Sequence, residues 1–230
     1  MTTTTLNVLA VDAAGNRSEP ASHTYTFDLE PPVISIDTKP ANPTNNTTSH
    51  FVFSASEGVT FECSLSFGRA ADQFVPCESS AETPWEYSLL SGDGSYTFKL
   101  RATDVAGNKN QATYQYDLDT VAPDAPSAPD LNPAHDSGAS DSDNLTNAVA
   151  PSFSGAAETG STVTLLVDGV AQGSSVATDG KYSITINDVA EGSHTITARA
   201  TDKAGNVSAP SGELAITIDR AWAREIATLS

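Results

Sequence analysis

The sequence predicts an all-β chain of tandem β-sandwiches, and three observations carry that prediction. First, a segment ending in Asp-x-Ala-Gly-Asn occurs three times, at residues 12–16, 104–108 and 202–206. Its anchoring aspartates, Asp12, Asp104 and Asp202, lie 92 and 98 residues apart. That interval is longer than a solenoid repeat and close to one sandwich domain, so the period is a domain. Second, Thr, Ser, Ala, Val, Asp and Gly dominate the composition, which suits short strands joined by polar turns, and helix-period stretches are almost absent. Third, apolar residues alternate as they approach each turn: Leu6, Val8, Ala10, then Phe98, Leu100, Ala102, then Ile196, Ala198, Ala200. Alternation on both sides of a tight turn marks a hairpin with one buried face.

The elements follow in chain order. Residues 1–30 read as the C-terminal hairpin fragment of a repeat, because the first copy of the motif stands where a sixth strand would be. A lone hairpin is marginal in water and exposes its edges, so this segment is expected to be poorly ordered or docked on a neighbour. Residues 31–120 read as a complete domain with strands at 33–38, 51–56, 60–66, 74–77, 85–89, 96–103 and 113–118. Residues 121–220 repeat the pattern with strands at 127–131, 152–156, 162–168, 170–177, 182–186, 194–201 and 213–218. Seven short alternating strands with frequent turn signals predict an immunoglobulin-like Greek-key sandwich. Residues 221–230 depart from the repeat and read as a non-repeat tail.

Charge narrows the function classes. Lys+Arg 11 against Asp+Glu 29 gives a formal net charge of −18, which repels nucleic-acid phosphates and anionic membrane surfaces. The acidic residues are scattered, so they describe a cation-attracting surface and not a disordered acidic tail. No run of apolar residues is long enough for membrane insertion, and the first residues lack the basic and apolar regions of a secretion signal.

Three stretches then carry a family resemblance that covers nearly the whole chain. Residues 117–126 (DLDTVAPDAP), 140–169 (SDSDNLTNAVAPSFSGAAETGSTVTLLVDG) and 61–77 (FECSLSFGRAADQFVPC) resemble the linker, the opening and a disulfide-bearing subtype of bacterial Ig-like repeat domains. Such repeats occur in giant surface adhesins and biofilm-associated proteins. The resemblance implies an extended extracellular or cell-surface rod, exported by type I secretion under a distant C-terminal signal. Its partners would be neighbouring Ig-like repeats of the same longer chain and a host or matrix glycan or protein.

Candidate sites come from the polar residues. Cys63 and Cys77, the only cysteines, flank a polar turn and read as a disulfide across adjacent strands or as a buried reduced pair. Two cysteines are too few for a zinc site of their own. Ca²⁺ needs six to eight oxygens, which the acidic loops could supply as carboxylates, Asn side chains and backbone carbonyls. Sandwich topology brings the incoming linker to the pole of the last hairpin turn, so Asp117, Asp119 and Asp124 are expected near Asp202 and Asn206. At the other pole Asp136, Asp141 and Asp143 are expected near Asp219. In the preceding domain Asp28 and Glu30, with Asp104 and Asn108, form a possible equivalent. Against these stands the simpler use of Asp and Asn as turn caps.

Catalysis has little support. His23, His50, His135 and His194 lack a paired nucleophile signature, and no G-x-S-x-G, H-E-x-x-H or phosphate loop occurs. The leading expectation is a non-catalytic, calcium-stiffened spacer of an adhesin. Two alternatives remain: a module that binds glycan or protein, and an accessory module of a secreted hydrolase. An exposed aromatic cluster on one sheet face would favour glycan binding over the spacer.

Overall fold

The computed structural model describes residues 1–137 and 140–220. The expected tail at 221–230 lies outside the described residues. The chain divides into two compact units, the first comprising residues 1–42 and 46–118, the second residues 43–45 and the chain from Asp119 onward.

The first unit opens with an antiparallel hairpin of β1 (Thr2–Val8) and β2 (Ala21–Phe27), in register from Thr2 opposite Phe27 to Val8 opposite Ala21. There follow β3 (Ile34–Thr38), β4 (Ser49–Ala55), β5 (Val59–Phe67), β6 (Val75–Cys77), β7 (Trp85–Tyr87), β8 (Gly94–Asp104) and β9 (Lys109–Leu118). These make one sheet in the order β3-β4-β7 and a second in the order β6-β5-β8-β9. Non-consecutive neighbours in both sheets are the Greek-key crossovers predicted from the sequence.

Period-two alternation places every second residue of β4 from Ser49 to Phe53, and of β8 from Tyr96 to Asp104, in the core. Phe51 from the first sheet stacks on Phe98 from the second with ring centroids 3.8 Å apart. Phe53, Tyr96, Leu100, Tyr116 and Leu118 close the same cluster, and Trp85 and Tyr87 pack at its rim. Each fully buried side chain of this kind stabilises by about 1.5–3 kcal/mol. A polar tie across the core joins Tyr116 Oη and Ser49 Oγ at 2.7 Å, both residues being buried. Strand β6 is three residues long and contains Pro76, which lacks an N–H; a short Pro-bearing edge resists pairing with other chains.

The second unit contains β10 (Asp130–Leu131), β11 (Leu145–Thr146), β12 (Ser152–Ala156), β13 (Thr162–Val167), β14 (Val170–Val176), β15 (Lys181–Thr185), β16 (Gly192–Thr201) and β17 (Leu214–Ile218). Its sheets run β10-β12-β15 and β11-β17-β16-β13-β14. Leu165, Ile196, Ala198, Ile216 and Ile218 meet Leu131, Phe153, Tyr182 and Ile184 between them. Strands β13 and β14 are joined by Asp168 and Gly169 at φ 50° and 82°, with Val167 opposite Val170. This is a two-residue turn with both central residues left-handed, for which Asp-Gly is a strong signal.

Two elements differ from the expectation. The strand predicted at 127–131 is reduced to Asp130–Leu131, because Pro129 lacks a donor and Ser127 instead clamps Ala156. The Ser127 N–H donates to the Ala156 carbonyl, and the Ala156 N–H donates to Ser127 Oγ, both at 2.9 Å. Strand β11 was not predicted; it is two residues long and pairs in parallel with β17, too short to show a period of its own.

Candidate clasp and carboxylate cluster

The three Asp-x-Ala-Gly-Asn turns have one geometry. In each, the Asp carboxylate accepts backbone N–H bonds from within the turn. Asp12 Oδ1 takes those of Ala14 and Asn16, both at 2.9 Å. Asp104 Oδ1 takes those of Ala106 and Asn108 at 2.8 Å, and Asp202 Oδ1 those of Gly205 at 2.7 Å and Asn206 at 2.9 Å. The Asn side chain returns the bond, donating from Nδ2 to Oδ2 of Asp12, Asp104 or Asp202 at 2.8 Å. The glycine holds φ of 86°, 91° and 96° in the three copies, a region other residues enter only with strain.

Asn Nδ2 carries two hydrogens, and in both complete domains the second reaches the incoming linker. Asn108 Nδ2 donates to the Asp28 carbonyl at 3.0 Å, and Asn206 Nδ2 donates to the Asp119 carbonyl at 2.8 Å. In the first unit Asn110 adds a second tie, donating to the Pro32 carbonyl at 2.8 Å. The turn therefore clasps itself and the linker together.

These bonds set the charge state. Burial works to raise the Asp104 carboxyl, but donors from Asn108, Ala106 and Gly107 outweigh it and hold it below the ordinary carboxylate range. Asp202 behaves likewise: burial opposes, and donors from Asn206 and Gly205 prevail. At Asp12 the Asn16 side chain has the largest effect and lowers the carboxyl.

Beside the clasp of the first unit, carboxylate oxygens of Asp28, Glu57 and Asp104 all lie within 4.8 Å of one another. Asp28 comes from the linker, Glu57 from the β4–β5 turn and Asp104 from the clasp. Among the described residues this is the one trio so grouped. Sequence reasoning named Asp28 and Asp104 and missed Glu57. The signal was there in the acidic residue of Ser56-Glu57-Gly58, a turn that Greek-key topology delivers to the same pole. The set is all hard carboxylate oxygen, and its chemistry fits Ca²⁺ better than a nitrogen- or sulfur-preferring metal.

The other expected residues are placed as follows. In the second unit Asp202, Asn206 and the Asp119 backbone meet through the clasp just described. Asp124 borders a shallow depression of about 360 Å³ with Ser127 and Glu158, the counterpart of Glu57. Asp117 belongs to the first unit, where its N–H donates to Asn42 Oδ1 at 3.0 Å. Asp136 Oδ2 accepts the Asn144 N–H at 3.2 Å, and Asp143 Oδ1 the Leu145 N–H at 3.1 Å. The Asp219 N–H donates to the Thr146 carbonyl at 2.9 Å, so the end of β17 adjoins that loop, and Asp141 is exposed. Asp136, Asp141, Asp143 and Asp219 form no such trio among the described residues.

Cys63 and Cys77 are joined in a disulfide, settling the choice left open between bonded and reduced pairs. Both sulfurs are buried in the first unit's core, where they tie the Pro-bearing edge strand β6 to β5. His194 is held by two acceptors, Nδ1 facing Asp168 Oδ2 at 2.7 Å and Nε2 the Ala190 carbonyl at 3.0 Å. The Asp168 contact raises its pKa above the ordinary value.

Comparison with known proteins places these observations. A family model described as bacterial Ig-like domain matches residues 34–120 and 122–220. No curated protein matches the chain. Among solved structures, the fibronectin(III)-like modules of Clostridium thermocellum CbhA share 17% identity, covering 81% of this chain and 94% of theirs, with a TM-score of 0.51. The chicken CNTN1 FN1–FN3 domains share 14% identity over 93% of this chain and 74% of that one, with a TM-score of 0.53. A 1.5-MDa bacterial ice-binding adhesin shares 18% identity over 94% of this chain and 73% of that one, with a TM-score of 0.40. At these identities the likeness to the CbhA and CNTN1 modules speaks to the sandwich fold alone.

Proposed function

Because this chain belongs to the bacterial Ig-like domain family, we propose that it serves as a non-catalytic, extracellular spacer of a bacterial surface adhesin, stiffened by Ca²⁺ where linkers meet clasps. The observation that carries this reading is the repeated bond from a clasp Asn to a linker carbonyl, at Asn108–Asp28 and Asn206–Asp119. A turn used only as a turn has no need to hold the strand connection before it. Repetition of that contact favours a module whose linker geometry matters.

The Asp28–Glu57–Asp104 cluster is the preferred cation position, since a bound ion there would tie the linker to two turns and offset converging negative charge. In the second unit the corresponding position is the Asp119–Asp202–Asn206 clasp with Asp124, and Asp136, Asp141, Asp143 and Asp219 supply a further candidate. The disulfide supports an oxidising, exported setting.

Calorimetric titration of chelator-treated protein with Ca²⁺ tests the reading. Glu57→Gln is the informative substitution, because Glu57 is exposed and takes no part in the clasp bonds. Loss of one site's share of the binding heat on that change is expected. Equal heats for the two proteins would overturn the assignment of the cluster, and the absence of heat in both would overturn calcium stiffening.

A further inference from the structure

His194, near the start of β16, stands between two groups that accept hydrogen bonds and donate none. Its Nδ1 faces Asp168 Oδ2 at 2.7 Å and its Nε2 faces the Ala190 carbonyl at 3.0 Å. Asp168 is also fixed to the strand without the imidazole: its N–H donates to the Thr195 carbonyl and its Oδ1 accepts the Thr195 N–H, both at 2.9 Å. The bonds from Thr195 and His194 hold the Asp168 carboxyl below the ordinary carboxylate range, so it is an anion at neutral pH. A neutral imidazole has one N–H and satisfies one of the two acceptors; the imidazolium has two and satisfies both. Ala190 belongs to loop 187–191, which closes the second unit's core through buried Val189. Arg220 holds the other side of that loop, its Nη1 donating to the Val189 carbonyl at 2.9 Å and its N–H to Glu191 Oε2 at 3.0 Å. His194 joins the loop to the β13–β14 turn.

We infer that His194 is a proton-dependent latch: its imidazolium bridges Asp168 to Ala190, and loss of the proton releases loop 187–191 while the Asp168 contact remains. The carboxylate is the stronger acceptor, so the last N–H stays with Asp168 and the Nε2 lone pair is left facing the Ala190 carbonyl. The surroundings leave this exchange to Asp168. Strands β13 and β17 flank β16, and neither TVTLLV nor LAITI contains a titratable residue; β14 contains none either. On β16 itself Arg199 lies an odd number of residues on, hence on the opposite face. Lys181 stands at the end of β15 remote from the loop. Within the loop Asp188 is exposed and Glu191 accepts the Arg220 N–H. Beyond β17 the Asp219 N–H donates to the Thr146 carbonyl, and the Arg220 guanidinium is bonded to the Ala148 and Val189 carbonyls. The Asp168 bond raises the His194 pKa above its ordinary 6.5; burial opposes it and the Ala190 carbonyl assists. A group that holds its proton more readily folded than unfolded stabilises the fold in full below pH 6.5, and that gain is lost as pH rises through the higher folded value. This inference stands independently of calcium and of the spacer reading.

The experiment melts the full chain, kept in chelator so that no divalent cation contributes, from about pH 5 to about pH 9, a window that spans histidine titration. The second unit's midpoint is expected to fall by about 2–4 °C across that window, a modest change because the Asp168 side chain is 53% exposed and solvent screens the contact. His194→Gln should abolish the fall. Asp168→Asn, which keeps a residue suited to the positive φ of that turn, should move the fall to lower pH. The unit's other histidine, His135, accepts the Ser152 N–H at Nδ1 and is common to parent and variants, so the difference between them isolates His194. In NMR spectra the amide shifts of residues 187–191 are expected to titrate together with the His194 ring, and to lose that titration in His194→Gln. Equal pH dependence of melting in the parent and His194→Gln would overturn the latch, as would stability that rises with pH through the ring's own midpoint. Loop amides that ignore the ring's titration would overturn release of the loop, whatever the melting shows.

Discussion

Removing the Cys63–Cys77 bond is expected to weaken one module and leave the other untouched. The bridge spans a sequence separation of 14 residues. In the chain-entropy model, closing a loop of that size contributes about 3 kcal/mol. It also fastens β6, whose pairing with β5 covers only Phe61 to Cys63, so little else holds that strand to the sheet. For a domain of this length 1 kcal/mol moves the midpoint by about 4–8 °C, so the first unit's sandwich should melt about 12–24 °C lower. The assay is thermal and urea unfolding of the Cys63→Ala, Cys77→Ala double variant, with hydrogen exchange assigning each transition. The second unit contains no cysteine and serves as an internal control. A loss below about 1 kcal/mol, or equal movement of both transitions, would refute the reasoning, because the entropic effect is confined to the closed loop.

Further expectations follow from the same contacts. Tyr116→Phe strands the buried Ser49 hydroxyl and should cost the first unit about 1–3 kcal/mol in urea unfolding, while Ser49→Ala with Tyr116→Phe recovers part of it. Burial pushes Tyr116 and Tyr182 each up to about 12. Their neutral forms stabilise both modules at neutral pH, and that stability should be lost as pH rises from about 10, the unfolded value, through about 12. Asn206→Ala removes the bonds to Asp202 and to the Asp119 carbonyl and should cost the second unit about 1 kcal/mol, with faster exchange in the adjoining linker. Gly155→Ala would place a methyl 2.5 Å from Tyr182 Oη and 2.7 Å from Ser127 Oγ. Overpacking of that kind should cost about 1–3 kcal/mol, read from the second unit's melt.

Much of this architecture is legible in the sequence because the residues that repeat are the ones geometry constrains. A glycine at positive φ, an aspartate bonded to the turn and an asparagine bonded to both recur in Asp12–Gly15–Asn16 and its two later copies, so their spacing counts modules. Strands with alternating burial, such as β8 and β13, are visible for the same reason. Strand β11 was invisible, since two residues paired in parallel leave no periodic trace, and Ser127 looked like strand because its clamping of Ala156 depends on tertiary contact. The site was half legible. Asp28 and Asp104 follow from the motif and its linker, but Glu57 enters only when the β4–β5 turn is folded beside them. Which carboxylates converge is decided by topology, and an acidic residue in a short turn carries no mark of the pole it occupies.

The most direct test of calcium stiffening is small-angle scattering on one sample, measured in calcium and again after chelation, with Glu57→Gln alongside. A larger maximum dimension in calcium, collapsing on chelation and weakened in the variant, is predicted. An unchanged maximum dimension in all three would contradict the account.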